Sequence, residues 1–354
     1  MSAQLGEQND PGITTDPIYV EELAPFEESM DFFVRKDVKV SSKDDAEIYG
    51  AEALVTLVEG FGKVPGESAL TLGDDAFIDG SESFGDKARA VLAKLVQLAK
   101  DAFNWIMNII NNQLTRLDNR QFRMASKRKR HGLKTGPVKF PAGVRRLIIP
   151  VKITDDGLWI KESLKEVNDF YKGYVKAHEI LAKAITVDYS PRDLNDVINK
   201  LTSAMGLTGT SRDKDGTVVY SSDVLPGARH FRFKSPTEEF HGTQIYFDAS
   251  SVEAKLRSDT FEPSGYLIDE TLASVKVINE EIRKNQKGVN DLHRELERKA
   301  SSFMNTDHSK LTAENKAFIQ WLINTDKQLS SKVINYVISS ADMGLDFVQR
   351  GINS

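Results

Sequence analysis

Charge along this chain comes in blocks of opposite sign, and that limits where a core can form. The first 86 residues hold 20 Asp and Glu against 5 Lys and Arg. The sign then reverses: from 87 to 146, 15 bases face only Asp101 and Asp118. The net charge of −5 conceals both blocks. Like charges at this density repel one another, and the few apolar residues among them cannot offset the chain entropy lost on ordering. Residues 1–86 are therefore expected to be an acidic, disordered extension, with two short apolar patches at 30–34 and 53–58.

Past residue 83 the pattern becomes helical. Apolar residues recur at Val91, Leu92, Leu95, Leu98, Ala102, Phe103, Ile106, Ile109 and Ile110, while Gln97, Asp101, Asn104, Asn108 and Asn111 keep one face wet. The helix is expected to continue through Leu114 and Leu117 into the basic run at 126–131, where Gly132 ends it. Residues 132–157 read as a loop with strand-like pieces, notably 144–150. The row Ile160, Leu164, Val167, Tyr171, Tyr174, His178, Leu181, Ile185 predicts the next helix. Ser190-Pro191-Arg192-Asp193 matches a capping box that opens a helix closed by Gly206. Turns at Asp215-Gly216 and Pro226-Gly227 bracket strands at 218–220 and 230–234, with a third at 245–247. Two long helices follow, 268–304 with a weak point at Gly288, and 312–347, joined by a link short enough to make them antiparallel.

The expected fold class is mainly α: a helical bundle body with a small antiparallel β insertion and a disordered acidic N-terminal extension. Its expected segments are an extension at 1–86, a basic amphipathic helix and linker at 87–150, a helical domain with a β-hairpin insertion at 151–266, and a long-helix pair at 267–354.

Catalytic chemistry finds little purchase. Cysteine is absent, which excludes disulfides, thiol nucleophiles and Cys-ligated metals, and suits a reducing compartment or a particle assembled in one. The six histidines fall at 131, 178, 230, 241, 293 and 308, with no His-x-x-x-His pair. His178 sits in an apolar row and reads as a hydrogen-bonded core histidine. No phosphate-binding glycine loop or nucleophile elbow occurs. Asp213-Lys214-Asp215-Gly216 is faintly like a calcium loop but lacks the terminal Glu, and reads better as a hairpin turn. The expectation is a protein that is not an enzyme, takes no cofactor or metal and has no small-molecule substrate. The start of the sequence lacks the pattern of a secretory signal, and no run of about 18 apolar residues is present.

The basic block is the feature suited to binding. Lys127, Arg128, Lys129, Arg130 and Lys134, backed by Arg116, Arg120 and Arg123 and extended by Lys139, Arg145 and Arg146, suit double-stranded DNA or another polyanion. Such binding neutralises phosphates, releases counterions and ignores sequence. Cations also favour a helix C-terminus on their own account, and 127–130 matches a nuclear import signal. Residues 88–110, amphipathic and carrying Trp105, suit either burial in the bundle or contact with an anionic membrane surface.

An acidic segment beside a basic one can fold over it and block early binding; its removal would turn an acidic precursor into a basic product. Gly50-Ala51-Glu52 and Gly80-Ser81-Glu82 share a small-x-Glu pattern, and Leu57-Val58-Glu59-Gly60 has an apolar-x-Glu-Gly pattern, so Glu52, Glu59 and Glu82 are candidate processing sites. With the acidic leader, the Lys/Trp amphipathic helix and the cysteine-free helical body, Glu52 and Glu82 make the chain resemble the internal head (inner-body) proteins of giant phiKZ-like tailed phages, whereas the pattern at Glu59 resembles the processing sites of T4-like head proteins. The resemblance implies a propeptide cut by a prohead protease, other virion proteins as partners, and a place in the capsid interior after assembly in the host cytoplasm. Two other readings stay open: a cytoplasmic adaptor or regulator using the 88–110 helix on a protein or anionic membrane, and a nucleic-acid enzyme of unfamiliar type.

Overall fold

The structure is a computed structural model that describes residues 84–353 except 151, 155–156, 185–189, 238–239, 253–255, 257 and 305–312. The acidic extension and its candidate processing sites Glu52, Glu59 and Glu82 lie outside the described residues, which all belong to the unit spanning 81–354.

The body is predominantly α-helical with a small antiparallel sheet. Its helices are α1 (Phe84–Arg130), α2 (Trp159–Lys183), α3 (Pro191–Ala204), α4 (Gly265–Met304) and α5 (Ala313–Gly351). Four of them make a bundle in which α4 and α5 form the central pair, α1 packs on one side and α2 on the other. Directions follow from the pairs that touch. Gln113 meets Asn335 and Arg116 meets Asp342, so α1 and α5 run parallel. Gln121 meets Asn279 and Arg128 meets Asp269, so α1 and α4 are antiparallel. Ile268 lies against Gly351 and Val275 against Gly344, which makes α4 and α5 antiparallel as their short link predicts. Gly344 lets the helices approach closely at that crossing, because a Cβ there would stand 3.0 Å from both Leu164 and Val275, and those side chains would have to shift to admit it. Gly288 does not interrupt α4.

The α2 row behaves as its spacing predicts. Ile160, Leu164, Val167, Tyr171, Tyr174, His178 and Leu181 are all buried, while Ile185 lies outside the described residues. At the start of α3 the Ser190 backbone N–H donates to the Asp193 carboxylate at 2.6 Å, and Gly206 after its end has φ +65°. The expected β insertion is a four-stranded antiparallel sheet in the order β2 (Gly209–Arg212), β3 (Val218–Ser221), β4 (Arg229–Lys234), β5 (Gln244–Ala249). Its inner face packs on the bundle through Phe231 and Phe247, which meet Phe170 of α2 and Tyr336 of α5 at ring separations of 4.7–6.3 Å. The Tyr336 hydroxyl donates to the Pro226 carbonyl at 3.1 Å and pins the β3–β4 turn to α5.

The structure corrects one local expectation. Residues 144–147 belong to a 3₁₀ turn, Ala142–Leu147, and not to a strand. Val144 and Leu147 stand three apart on one buried side, as a three-residue turn places them, and Arg145 and Arg146 fall outside that buried pair. The strand-like piece that does form lies just upstream, where β1 (Val138–Lys139) pairs with β6 (Thr260–Phe261). Phe140 and Phe261 then close the bundle's end against Phe347, at 6.0 and 4.3 Å. All the expected segments beyond 86 contribute to one hydrophobic core.

His178 is a core histidine with a specific partner. Its Nδ1 lies 2.6 Å from the Asp326 carboxylate of α5, beside the Tyr174 hydroxyl that donates to Ser330 at 2.8 Å. Burial works against the imidazolium, but Asp326 outweighs it and holds the histidine's pKa above its ordinary value. A raised folded pKa contributes stability that is complete below the unfolded value near 6.5 and is lost as pH rises through the folded one. Thermal stability is therefore expected to decline above neutrality, and Asp326→Asn is expected to flatten that decline while costing about 1–3 kcal/mol. Melting temperatures from pH 5.5 to 9 check both.

Candidate polyanion-binding surface

Helix geometry sorts the cations of α1 before any partner is considered. At 3.6 residues per turn, Arg116, Arg120, Arg123, Lys127 and Arg130 fall on one stripe, spaced by three or four. Because α1 and α5 run parallel, the upper part of that stripe lies against an acidic pair on α5. Arg116 reaches Asp342 at 3.0 Å. Arg120 bridges Asp342, at 3.2 Å, and Asp346, and also donates to the Asp342 carbonyl at 3.3 Å. Its side chain is only 18% exposed. Burial disfavours its charge, yet Asp346 and Asp342 more than compensate and raise the guanidinium's pKa. Arg120 is thus a clamp between helices, and Arg116 is half committed to the same acids.

The acids stop there. One turn on, Arg123 is exposed, as are Lys127, Lys129 and Arg130 in the last turns of the helix. Arg128 points to the other side, where it makes a two-pronged pair with Asp269 near the start of α4 at 2.9 and 3.1 Å. The chain that leaves α1 is zipped to the end of α5: Asn353 N–H donates to the Gly132 carbonyl at 2.9 Å, and Lys134 N–H to the Gly351 carbonyl at 3.0 Å. This zipper brings exposed Arg350, in the last turn of α5, to the same end of the bundle. Periodicity gave no sign of Arg350, since only the parallel packing of α1 on α5 places it there.

The remaining predicted cations are more dispersed. Lys134 is half-buried, and its backbone is held by the zipper. Lys139 is exposed on β1 opposite Thr260. Arg145 is exposed and Arg146 half-buried on the 3₁₀ turn, which packs along α5 with Gly143 against Met343. Of the eleven cations named from sequence, Arg123, Lys127, Lys129 and Arg130 form the compact exposed group; Arg116, Arg120 and Arg128 are engaged in ion pairs.

The loop that resembles a calcium site has an internal occupant. Lys234 Nζ lies 2.7 Å from the carboxylates of both Asp213 and Asp215. Its hydrogen bonds hold both acids below the usual carboxylate range. No group of three or more metal-ligating side chains occurs among the described residues, and no helix among them is long and apolar enough to cross a membrane. Met107 and Ile110, from the amphipathic stretch of α1, pack on the bundle core.

No protein-family model, curated protein or solved structure matches the chain.

Proposed function

We propose that this chain is a structural protein of the tailed-phage head interior that binds packaged DNA nonspecifically and is made with a cleavable acidic propeptide. One observation carries the DNA-binding part: the acids that partner the α1 stripe end with Asp346, leaving Arg123, Lys127, Lys129 and Arg130 exposed, with exposed Arg350 at the same end of the bundle. Neutralising packed DNA takes cations within reach of neighbouring phosphates, fixed on a rigid element, and no reading of base edges. The end of a long bundled helix supplies that. The location, the prohead protease and the other virion partners come from the resemblance in the leader, the Glu52 and Glu82 sites and the cysteine-free body, with Glu59 as a candidate cut of the T4-like pattern.

The test compares the full chain with a chain begun at Ser83, each titrated with duplex DNA at about 50 and 200 mM salt. The shorter chain is expected to bind more tightly, and about five phosphate contacts would cost it roughly 10²–10³-fold in affinity between the two salts. Equal and salt-insensitive binding by both would reject the shielding role of the leader and the phosphate-binding role of the basic end together. Mass spectrometry of the protein's N-terminus in native particles tests the processing directly. A start at Ala53, Gly60 or Ser83 identifies the cut, whereas an intact Met1 in a soluble cell fraction favours an adaptor.

A further inference from the structure

The outward face of α1 changes character along its length. Its exposed row reads Asn104, Asn108, Asn111, Thr115 and Asn119, then Phe122, then Lys129. Phe122 is 74% exposed, the most open large hydrophobic residue among those described, and it makes no aromatic contact among the described residues. An exposed phenyl forgoes the roughly 1.5–3 kcal/mol that burial of such a side chain yields, so the core gives no reason for it. Its surroundings point elsewhere. Asn119 lies one turn before it, Arg123 directly follows, and Ser126, Lys129 and Arg130 lie one to two turns beyond, about 6–12 Å along the axis at 1.5 Å per residue.

We propose that Phe122 is a base-stacking platform, and that the basic end of α1 takes single-stranded nucleic acid in preference to duplex, with a base on the Phe122 ring and the adjoining phosphates on Arg123, Lys129 and Arg130. The inference rests on the polyanion reading and adds to it: duplex is held through its phosphates alone, and an unpaired strand gains the ring as well. Every base has a π-face, so one ring confers affinity without sequence preference. In an intact duplex the bases are stacked on each other, and a ring on a rigid helix gains a partner only where they are unpaired. Asn111 is held by Gln286 of α4, whose amide N–H donates to its side-chain oxygen, but the amides of Asn104, Asn108 and Asn119 can hydrogen-bond exposed base edges or sugar hydroxyls, which a duplex offers only within its grooves. An anionic membrane fits the same cations less well, because an interfacial helix needs a broad apolar face, and the residues in line with Phe122 are Asn and Thr.

The experiment uses oligonucleotides of about 20 nucleotides with 2-aminopurine at one internal position, single-stranded or annealed. Both the full chain and the chain begun at Ser83 are titrated, so that masking by the leader is not mistaken for the absence of a site. Wild-type protein is expected to quench the single-stranded probe and to bind it more tightly than the duplex. Phe122→Ala is expected to weaken single-strand affinity about tenfold and abolish the quench, with duplex affinity changed less than about twofold. Phe122→Trp restores both, which a merely structural role for the ring would not produce. Unchanged affinity and quench in Phe122→Ala overturn the stacking role while duplex binding keeps the phosphate reading intact. Absence of binding to either probe overturns both. Flotation with phosphatidylglycerol vesicles and sedimentation complete the test: loss of lipid binding or of self-association in Phe122→Ala, with single-strand affinity unchanged, assigns the ring to a membrane or to a second copy and rejects the proposal.

Discussion

Replacing Arg123, Lys127 and Arg130 together by glutamate is expected to lower affinity for duplex DNA by about two orders of magnitude at roughly 150 mM salt. Each phosphate contact contributes about 0.9 to the slope of log affinity on log salt. Three lost contacts should therefore flatten that slope by nearly 3, and the introduced carboxylates add repulsion. The control must change net charge equally, because a global charge effect would mimic a local one. Lys172→Glu, Lys183→Glu and Lys200→Glu serve, since all three lysines are exposed on α2 or α3, where they sit in short-range pairs with acids of their own helix. Fluorescence anisotropy at several salt concentrations reads both affinity and slope. If both triple variants lose affinity equally, the end of α1 is not the binding surface and attraction is a property of the whole molecule.

The largest stability effect is expected at the seam between sheet and bundle. Phe231 is fully buried on β4, with its ring 5.3 Å from both Phe170 and Phe247. Phe231→Ala removes the ring and leaves a cavity that neighbouring rings, themselves held by Tyr336 and by the β4–β5 ladder, cannot close. A cost of about 3–5 kcal/mol follows, a large part of the whole stability of an ordinary domain. Urea unfolding followed by circular dichroism measures it. A change under about 1 kcal/mol would mean that the sheet rides on the bundle without supporting it.

Legibility in the sequence tracked the range of the physics involved. The apolar row of α2 and the Asp215-Gly216 turn were plain because a few neighbouring residues decide a 3.6-residue period or a tight turn. The edge strand β2 was missed, since Gly209-Thr-Ser-Arg212 carries no apolar signal and is held in place by its register with β3. The apolar run at 144–150 suited a strand, and became a 3₁₀ turn because α5 and the β3–β4 turn claim its two sides: Gly143 meets Met343, and the Ile148 carbonyl accepts the N–H groups of Gly227 and Ala228, each at 3.0 Å. At the candidate site, local density counted Arg120 and Arg123 alike. Only Asp342 and Asp346, more than 200 residues away, make the first a clamp and leave the second open. Arg350 was invisible for the same reason.

The parallel seating of α1 on α5 also sets an order of events in folding. A contact such as Gln113 with Asn335 spans 222 residues, and α1 has to await α5 because the sequence between them supplies only one of its two flanking helices. Closure over such a span is entropically costly, and chains dominated by distant contacts fold slowly. During synthesis α1 emerges with its guanidinium groups unpaired and its apolar stripe uncovered, long before Asp342 and Asp346 exist. In that state the charge of Arg116 and Arg120 is balanced by none of the acids that clamp them in the folded bundle. Residues 1–86, with their 20 acids, leave the ribosome earlier still. The acidic block is therefore complete before the first cation of α1 is made, and the acids that pair with Arg116 and Arg120 are among the last residues to appear.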